Sequence, residues 1–314
     1  LSLGVIKLPA FYMDFEAYNR GVYDYKSSSK DVKNLIKELK RESVDGLILD
    51  LRNNGGGSLL EANALAHLFL GGGTKVQVKS SNGRIDRIGR IRGFQTYDDP
   101  LIILVNRASA SASEILAGAI QDYKRGLILG TETFGKGTVQ RLETVSKGQL
   151  KFTESKFYRV SGGSTQSKGI QPNLILPSLI DSEEVGEGLL PQALKYDQIS
   201  STRYKNFNRL GSSLPLLKKM SDKRIRNSLL FDHYEKLMLL REERKNQKWL
   251  SINLEERKAK KEEYENIILT MENELRKKLG LNTFRTYSDY LDREEDLKQL
   301  DLQEEVLNEA ANVM

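Results

Sequence analysis

Cysteine is absent from the 314 residues of this sequence. This absence excludes disulfide bonds, thiolate metal ligands and a cysteine nucleophile. Histidine is almost absent, because His67 and His233 are the only two. A Ser-His-Asp triad or a multi-histidine zinc site would have to use one or both of them. His67 lies in a predicted apolar helix and His233 in a charged helical region, so neither indicates a catalytic site.

Long apolar runs are also missing. No stretch of about 18 apolar residues occurs, which excludes a transmembrane helix. Residues 1–10 have neither the charged start nor the long apolar stretch of a secretion signal. The sequence instead begins abruptly with a strand-like run at residues 4–8. These features predict a fragment, or a mature product whose front part is missing.

A basic stripe without interleaved acids is likewise missing. The sequence carries 49 Lys and Arg residues against 43 Asp and Glu residues, for a net charge of +6. Because nucleic-acid binding usually needs such a stripe, we expect a solvated, salt-bridged surface and no nucleic-acid partner. The apolar fraction of 39% is nonetheless sufficient for a packed core.

Strand-like and helix-like segments alternate in the first 180 residues. Continuous apolar runs predict buried strands at residues 4–8, 45–51, 101–105 and 126–130. Helical spacing of apolar residues predicts helices at residues 59–70, at 111–125 and at 29–42, the last with Ser29 as N-cap. Alternating patterns predict a β-ribbon at residues 138–145 and 149–160, followed by a short strand at 173–176. The alternation of strands and helices favours an α/β layered core.

The rest of the chain is helical in character and highly charged. We predict a core domain at residues 1–185 and a helical domain at 186–314, with a linker at 181–188. Long helices are expected at 221–250 and 255–279, the second with Gly280 as C-cap, and a final helix at 293–313. The charged run at 257–263 is most simply a solvated helix face. Adaptor binding or oligomer contacts through this tail are the alternative.

Three motifs each follow a predicted strand. The first, residues 50–57, reads Asp-Leu-Arg-Asn-Asn-Gly-Gly-Gly and precedes a helix. Its glycines would expose backbone N–H groups at the positive end of that helix, where they can hold a phosphate or an oxyanion. A tight turn is the alternative interpretation. The motif has neither a P-loop ending nor the spacing of a dinucleotide site.

The second motif, residues 106–114, ends in Ser-Ala-Ser-Ala-Ser-Glu. Small residues at a strand-to-helix junction leave a hydroxyl uncovered, as a nucleophile requires. Taken alone, however, the motif favours a helix cap, since Ser111 and Glu114 have the spacing of a capping box.

The third motif, residues 133–140, places Lys136 between Gly135 and Gly137. Such a lysine usually points into solvent, and it becomes a base only where burial lowers its pKa. Ser–Lys pairs are a known variant of the nucleophile–base arrangement. Each motif is weak alone, and the joint occurrence of all three at strand ends favours catalysis.

Residues 107–140 resemble the active-site stretch of the carboxy-terminal processing peptidases, in particular their tail-specific branch. The resemblance includes residues 50–57 and 156–172, covers roughly residues 4–180, and extends to the charged helical tail. It implies a crotonase/ClpP-like layered protease core followed by an all-helical C-terminal domain. It also implies a serine endopeptidase that works through an acyl-enzyme and needs no metal or cofactor.

The resemblance also assigns residues. It implies Ser111 as nucleophile and Lys136, 25 residues later, as its base. The implied oxyanion donors are the backbone N–H groups of Gly57 and Ala112. The third catalytic member is left open between two residues.

Gln140 and Asp122 are the two candidates for that third member. Gln140 follows Lys136 by four residues and would lie on the same face of a ribbon strand, where its amide oxygen can accept from the lysine. Asp122 lies about three helical turns beyond Ser111, so a structural role is equally open for it.

Substrates and location follow from the resemblance only. It implies protein substrates with apolar C-terminal tails and a periplasmic location. The PDZ domain that usually precedes such a core has no counterpart in these residues. A crotonase-like acyl-CoA enzyme and a catalytically silent scaffold are the rival interpretations. Fluorophosphonate labelling of Ser111 and a casein digestion assay distinguish them.

Overall fold

The computed structural model describes residues 1–89, 92–180, 183–209, 211–292 and 300–314. The chain divides into two units. The first contains Leu1–Leu176, Ile180–Leu217 and Ala310–Met314, and the second contains Pro177–Leu179 and Lys218–Glu309. The predicted linker at 181–188 and the predicted final helix at 293–313 lie partly outside the described residues.

The strands all belong to the first unit. They are β1 Leu3–Lys7, β2 Gly46–Asp50, β3 Val76–Ser80, β4 Ile85–Ile88, β5 Leu101–Val105, β6 Leu127–Gly130, β7 Thr138–Val145, β8 Gly148–Tyr158 and β9 Leu174–Ile175. The predicted strands are present within one or two residues of their expected ends, except that the last keeps only two residues. The β3–β4 hairpin had no prediction, because its polar sequence carries little of the apolar pattern of a buried strand.

The helices belong to both units. They are α1 Phe15–Asn19, α2 Ser28–Arg41, α3 Leu59–Leu70, α4 Ala112–Asp122, α5 Ser213–Asn227, α6 Leu229–Lys245, α7 Leu254–Lys278, α8 Tyr287–Leu291 and α9 Leu302–Val313, with a 3₁₀ turn at Glu187–Leu189. No helix in the described ranges has the length and apolar character that a bilayer span requires.

Two helix predictions were wrong in detail. The expected helix at 221–250 is broken at Ser228, whose hydroxyl accepts from the Phe231 N–H at 3.3 Å and starts α6 afresh. The N-cap of α2 is Ser27 rather than Ser29. Ser29 instead donates its backbone N–H to the Glu61 carboxylate at 2.7 Å. Serine caps helices through local geometry that composition alone does not specify.

A parallel sheet forms the centre of the first unit. Its strand order among the described residues is β1-β2-β5-β6-β9, and its pairings are all parallel. Every residue of β2, β5 and β6 is buried. Continuous apolar strands are what a sheet covered on both faces requires. The predicted α/β core with a helical C-terminal region is therefore confirmed.

A second, antiparallel sheet has the order β4-β3-β8-β7. The pairing of β7 with β8 shifts in register between Val139 and Gln140. Such a bulge bends the strand and re-aims the side chains beside it.

The parallel sheet also positions the three sequence motifs. Strands β2, β5 and β6 are neighbours, with Asp50 opposite Leu104 and Val105 opposite Gly130. Each motif follows the carboxyl end of one of these strands. Because parallel strands end at the same edge of a sheet, the motifs converge there, where α/β proteins commonly bind ligands.

Helices are the only regular secondary structure among the described residues of the second unit. Helices α6 and α7 pack together as a hairpin joined by residues 246–253. Gly280 has φ 72°, and the Leu281 N–H donates to the Arg276 carbonyl at 2.8 Å. This is the left-handed helix ending that glycine favours, so the predicted C-cap is confirmed.

Candidate active site

Three serines of the second motif have different surroundings. Ser109 and Ser113 are fully buried, and their hydroxyls donate to the backbone carbonyls of Leu51 and Asn54, each at 2.8 Å. Ser111 alone of the three is partly exposed. Ser109 and Ser113 therefore hold neighbouring loops together, and Ser111 is the serine that a substrate can reach.

Ser111 has an uncommon backbone conformation, with φ 58° and ψ −111°. A non-glycine residue in this region costs about 1–3 kcal/mol and persists only where its surroundings fix it. The N–H of the neighbouring Ala110 donates to the Asn54 carbonyl at 3.0 Å, and the Ser111 N–H donates to the Glu114 carboxylate at 2.7 Å. Helix α4 begins at the next residue, so Ser111 lies at the positive end of the helix.

The glycine loop packs directly against this serine. Gly56 has φ 107°, and a Cβ added to it would lie 2.8 Å from the Ser111 Cβ. Gly57 has φ 141°, and a Cβ there would overlap the Phe11 carbonyl. Both positions therefore require glycine, for close approach as well as for backbone angle.

The backbone of Phe11 also holds the glycine loop, through two hydrogen bonds. The Phe11 N–H donates to the Gly56 carbonyl at 2.9 Å, and the Ser58 N–H donates to the Phe11 carbonyl at 2.8 Å. Neither of these two hydrogen bonds involves the Gly57 N–H. Within the described chain, neither this N–H nor that of Ala112 donates a hydrogen bond. Both proposed oxyanion donors are thus unpaired backbone groups near Ser111.

Substituting Gly56 by alanine is expected to slow the labelling of Ser111 by a fluorophosphonate by about 10²-fold, because the new methyl group displaces Ser111. Gly55→Ala is the matched control, since a Cβ at Gly55 would meet nothing within 4 Å. The two variants should be compared by their labelling rates. Equal labelling rates of both folded variants would contradict the described packing.

Lys136 lies in a narrow loop between β6 and β7. It is half-buried, and its Nζ donates to the Gln140 Oε1 at 3.1 Å. Gly137 donates its N–H to the Gln166 Oε1 at 2.9 Å, and Ser167 donates its N–H to the Gly135 carbonyl at 2.7 Å. The flanking glycines thus let the loop pack against residues 164–167 while its lysine side chain stays free of that contact. The structure brings the side chains of Lys136 and Gln140 together. The expectation that both lie on one strand was wrong, because Lys136 lies before β7.

Glu114 connects the serine to the lysine loop. Its side chain is fully buried and accepts four hydrogen bonds. Oε2 accepts the N–H groups of Ser111 at 2.7 Å and Lys136 at 2.9 Å. The two backbone nitrogens therefore lie no further apart than the sum of these distances, 5.6 Å. Oε1 accepts the Thr133 hydroxyl at 2.6 Å and the Gly135 N–H at 2.8 Å.

Burial also changes the acidity of this carboxyl. It raises the pKa of Glu114 to about 7, while the hydrogen bonds from Thr133, Ser111, Gly135 and Lys136 lower it. The sequence indicated Glu114 only as half of a capping box. That half is present, since Glu114 accepts from the Ser111 N–H. The contacts with the lysine loop join residues 22 positions apart, and no local pattern could indicate them.

Asp122 is at the opposite end of α4. Eleven residues of helix place it about 16 Å from Ser111 along the axis. It accepts from Arg159 Nε at 3.1 Å and Nη2 at 2.5 Å, and from the Ser161 hydroxyl at 3.1 Å. The structure therefore does not bring Asp122 together with Ser111 or Lys136.

Asn54 was not identified from the sequence, although it organises the glycine loop. It is fully buried, its Nδ2 donates to the Leu8 carbonyl at 2.8 Å, and its Oδ1 accepts the Gly56 N–H at 2.9 Å. An asparagine two residues before a glycine is a signature of such a turn, so the signal was present.

Comparisons with known proteins agree with the motifs. Residues 2–176 match the model of peptidase family S41. Residues 180–314 match the C-terminal domain of tail specific protease.

Curated relatives and a solved structure were also found. The chain is 39% identical to a tail-specific protease of Haemophilus influenzae over 270 residues, which cover 82% of this chain and 37% of the relative. It is 38% identical to a carboxy-terminal-processing protease of Bartonella bacilliformis over 150 residues, covering 46% and 34%. The photosystem II D1 C-terminal processing protease structure aligns with TM-score 0.47 and 34% identity, covering 55% of this chain and 42% of that one.

The chain thus spans little more than a third of the length of these two curated relatives. The S41 model, in contrast, matches more than half of the present sequence. The resemblance that the motifs indicated is confirmed, and the chain belongs to peptidase family S41.

Proposed function

We propose that this chain carries the catalytic centre of a serine endopeptidase, with Ser111 as nucleophile and Lys136 as general base. One observation carries the proposal. The buried Glu114 carboxyl accepts the backbone N–H groups of both residues through a single oxygen, and Ser111 is the exposed serine of its motif. Digestion of a peptide by the wild type, but not by Ser111→Ala, tests it.

In the proposed reaction, Lys136 takes the proton of the Ser111 hydroxyl. The serine oxygen attacks a peptide carbonyl, and the resulting oxyanion accepts hydrogen bonds from the N–H groups of Gly57 and Ala112. The C–N bond then breaks, the leaving amine takes the proton from Lys136, and an acyl-enzyme remains. Lys136 next takes a proton from a water molecule, whose oxygen attacks the acyl carbonyl carbon. The bond from that carbon to the serine oxygen then breaks, Lys136 returns its proton to Ser111, and the carboxylic acid leaves.

The lysine in this structure donates to Gln140 rather than to Ser111. A lysine has a flexible four-carbon stem, so rotation of that stem can redirect its amine without moving the loop. The 5.6 Å limit between the backbone nitrogens supports such a movement. We infer that Gln140 is the third member of the site and orients Lys136, while Asp122 stabilises α4 through Arg159.

Substituting Gln140 and Asp122 should therefore have opposite effects. Gln140→Ala is expected to lower kcat by about 10- to 100-fold at unchanged melting temperature, because the Gln140 side chain is exposed and accepts a hydrogen bond from the Lys136 amine. Asp122→Asn is expected to weaken the fold by about 1–3 kcal/mol with little change in kcat. Thermal melts and kcat of each folded variant measure both effects, and the reverse pattern would overturn the assignment.

Protein substrates with apolar C-terminal tails and a periplasmic location belong to the same proposal. The names of the relatives, tail-specific and carboxy-terminal-processing protease, support tail selection. Two substrates that differ only in an apolar or a charged C-terminal tripeptide test it. Equal cleavage of both would remove tail selection from the proposal and leave the catalytic assignment unaffected.

A further inference from the structure

An exposed apolar cluster lies at the end of the α6–α7 hairpin. Residues 246–253 join the two helices, and Leu254 is the first residue of α7; residues 247–254 are here called the hairpin tip. Four large apolar side chains of the tip are 64–103% exposed: Trp249, Leu250, Ile252 and Leu254. Exposed single hydrophobic residues are ordinary, but four within six positions mark a surface that contacts something apolar.

Positive charge surrounds this cluster. Seven basic residues occur between positions 244 and 261, against two acidic ones, Glu255 and Glu256. The basic residues are Arg244, Lys245, Lys248, Arg257, Lys258, Lys260 and Lys261. Glu255 pairs with Lys258 at 3.1 Å, and Lys261 lies 3.6 Å from Glu265. Glu242, Glu243, Glu262 and Glu263 border this stretch, so the excess of positive charge is confined to the residues next to the tip.

We propose that the hairpin tip docks on an anionic phospholipid surface. Tryptophan and aliphatic side chains would enter the headgroup layer, and the cations behind them would meet the lipid phosphates. Five of the seven cations are lysines. Because lysine is depleted in protein–protein interfaces but common beside membrane-bound apolar residues, the composition favours a lipid over a protein partner.

The backbone of the tip is suited to this environment. Asn253 Oδ1 accepts the N–H groups of Glu255 at 2.9 Å and Glu256 at 3.3 Å. At the other arm, the Asn246 N–H donates to the Glu242 carbonyl at 2.9 Å. These hydrogen bonds cap the end of α6 and the start of α7 with groups of the hairpin itself. Insertion of the apolar side chains into lipid therefore leaves these backbone groups hydrogen-bonded.

Trp249 provides the measurement, since it is the only tryptophan in the sequence. Its emission is therefore a direct report on the tip in the otherwise unaltered chain. We expect a blue shift and co-flotation with vesicles of phosphatidylglycerol and phosphatidylethanolamine at low salt, and neither with phosphatidylcholine alone. Neutralising Lys258, Lys260 and Lys261 to Gln should weaken binding by about fivefold per charge.

Ile252→Ser combined with Leu254→Ser should abolish the blue shift and keep Trp249 as the probe. Phe94→Ser is the matched control, because Phe94 is 93% exposed and lies in the first unit. Unchanged emission and no flotation with anionic vesicles would overturn the proposal. A blue shift that depends on protein concentration without vesicles would overturn it in favour of a second copy as the occupant.

Discussion

Ser111→Ala is expected to lower casein hydrolysis by roughly 10⁴- to 10⁶-fold while the protein stays folded. The reason is that the other serines of the motif cannot substitute for it, since Ser109 and Ser113 are fully buried and donate to backbone carbonyls. Lys136→Ala should cause a loss of similar size, and the double variant should be no worse, because the two residues act as a unit in the proposed mechanism. Initial rates and circular dichroism check both effects.

Lys136→Arg sharpens this test. Arginine keeps the positive charge but cannot lose its proton in a protein, so it cannot serve as the base. A fluorophosphonate should label Ser111 in the wild type and fail to label Ser111→Ala. Cleavage at the wild-type rate by a folded Lys136→Ala protein would refute the base, and absence of labelling in an otherwise folded wild type would favour an acyl-CoA enzyme or a silent scaffold.

Glu114→Ala is expected to destabilise the protein by several kcal/mol and to remove activity. Four donors lose their acceptor, and the two that are buried, the Thr133 hydroxyl and the Gly135 N–H, each cost about 1–3 kcal/mol when left unsatisfied. Ser111 also loses a bond that holds its φ of 58°. Denaturant unfolding and fluorophosphonate labelling rate measure the two consequences, and a stable variant that labels at the wild-type rate would contradict the role of Glu114.

Glu114→Gln removes the charge of this residue and also replaces one of its two accepting oxygens by an amide donor. Burial raises the pKa of Glu114 from 4.5 to about 7 in the folded protein. The folded state therefore binds the proton more tightly than the unfolded state, and this contribution is full below pH 4.5 and lost as the pH rises through about 7. The difference in unfolding free energy between wild type and variant should change by about 3 kcal/mol across this window. A constant difference would show that Glu114 does not titrate there.

The core strands and the catalytic motifs were predictable because their signals are local. Residues 101–105 are apolar at each position, and such a run predicts a buried strand without knowledge of its neighbours. Ser111 and Lys136 were selected by the motifs and the family resemblance, and their convergence follows from parallel strands ending at one edge.

The contacts that join those motifs were not predictable in the same way. Glu114 meets Lys136, Asn54 meets Leu8, and Gly57 lies against Phe11, all across long separations in sequence. The exposure of Ser111 relative to Ser109 and Ser113 depends on how these loops pack, since the three serines alternate with alanines in one short run. The break at Ser228 was missed because a serine inside a charged helical pattern is compatible with either a cap or a continuous helix.

The path from Phe11 through Gly56 to Ser111 has a consequence for biosynthesis. The reactive serine acquires its geometry only after segments near positions 11, 56, 114 and 136 have found one another. Long-range pairings of this kind form slowly relative to local helices. Under the proposed mechanism, a newly made chain therefore cannot cleave other proteins until these distant segments have come together.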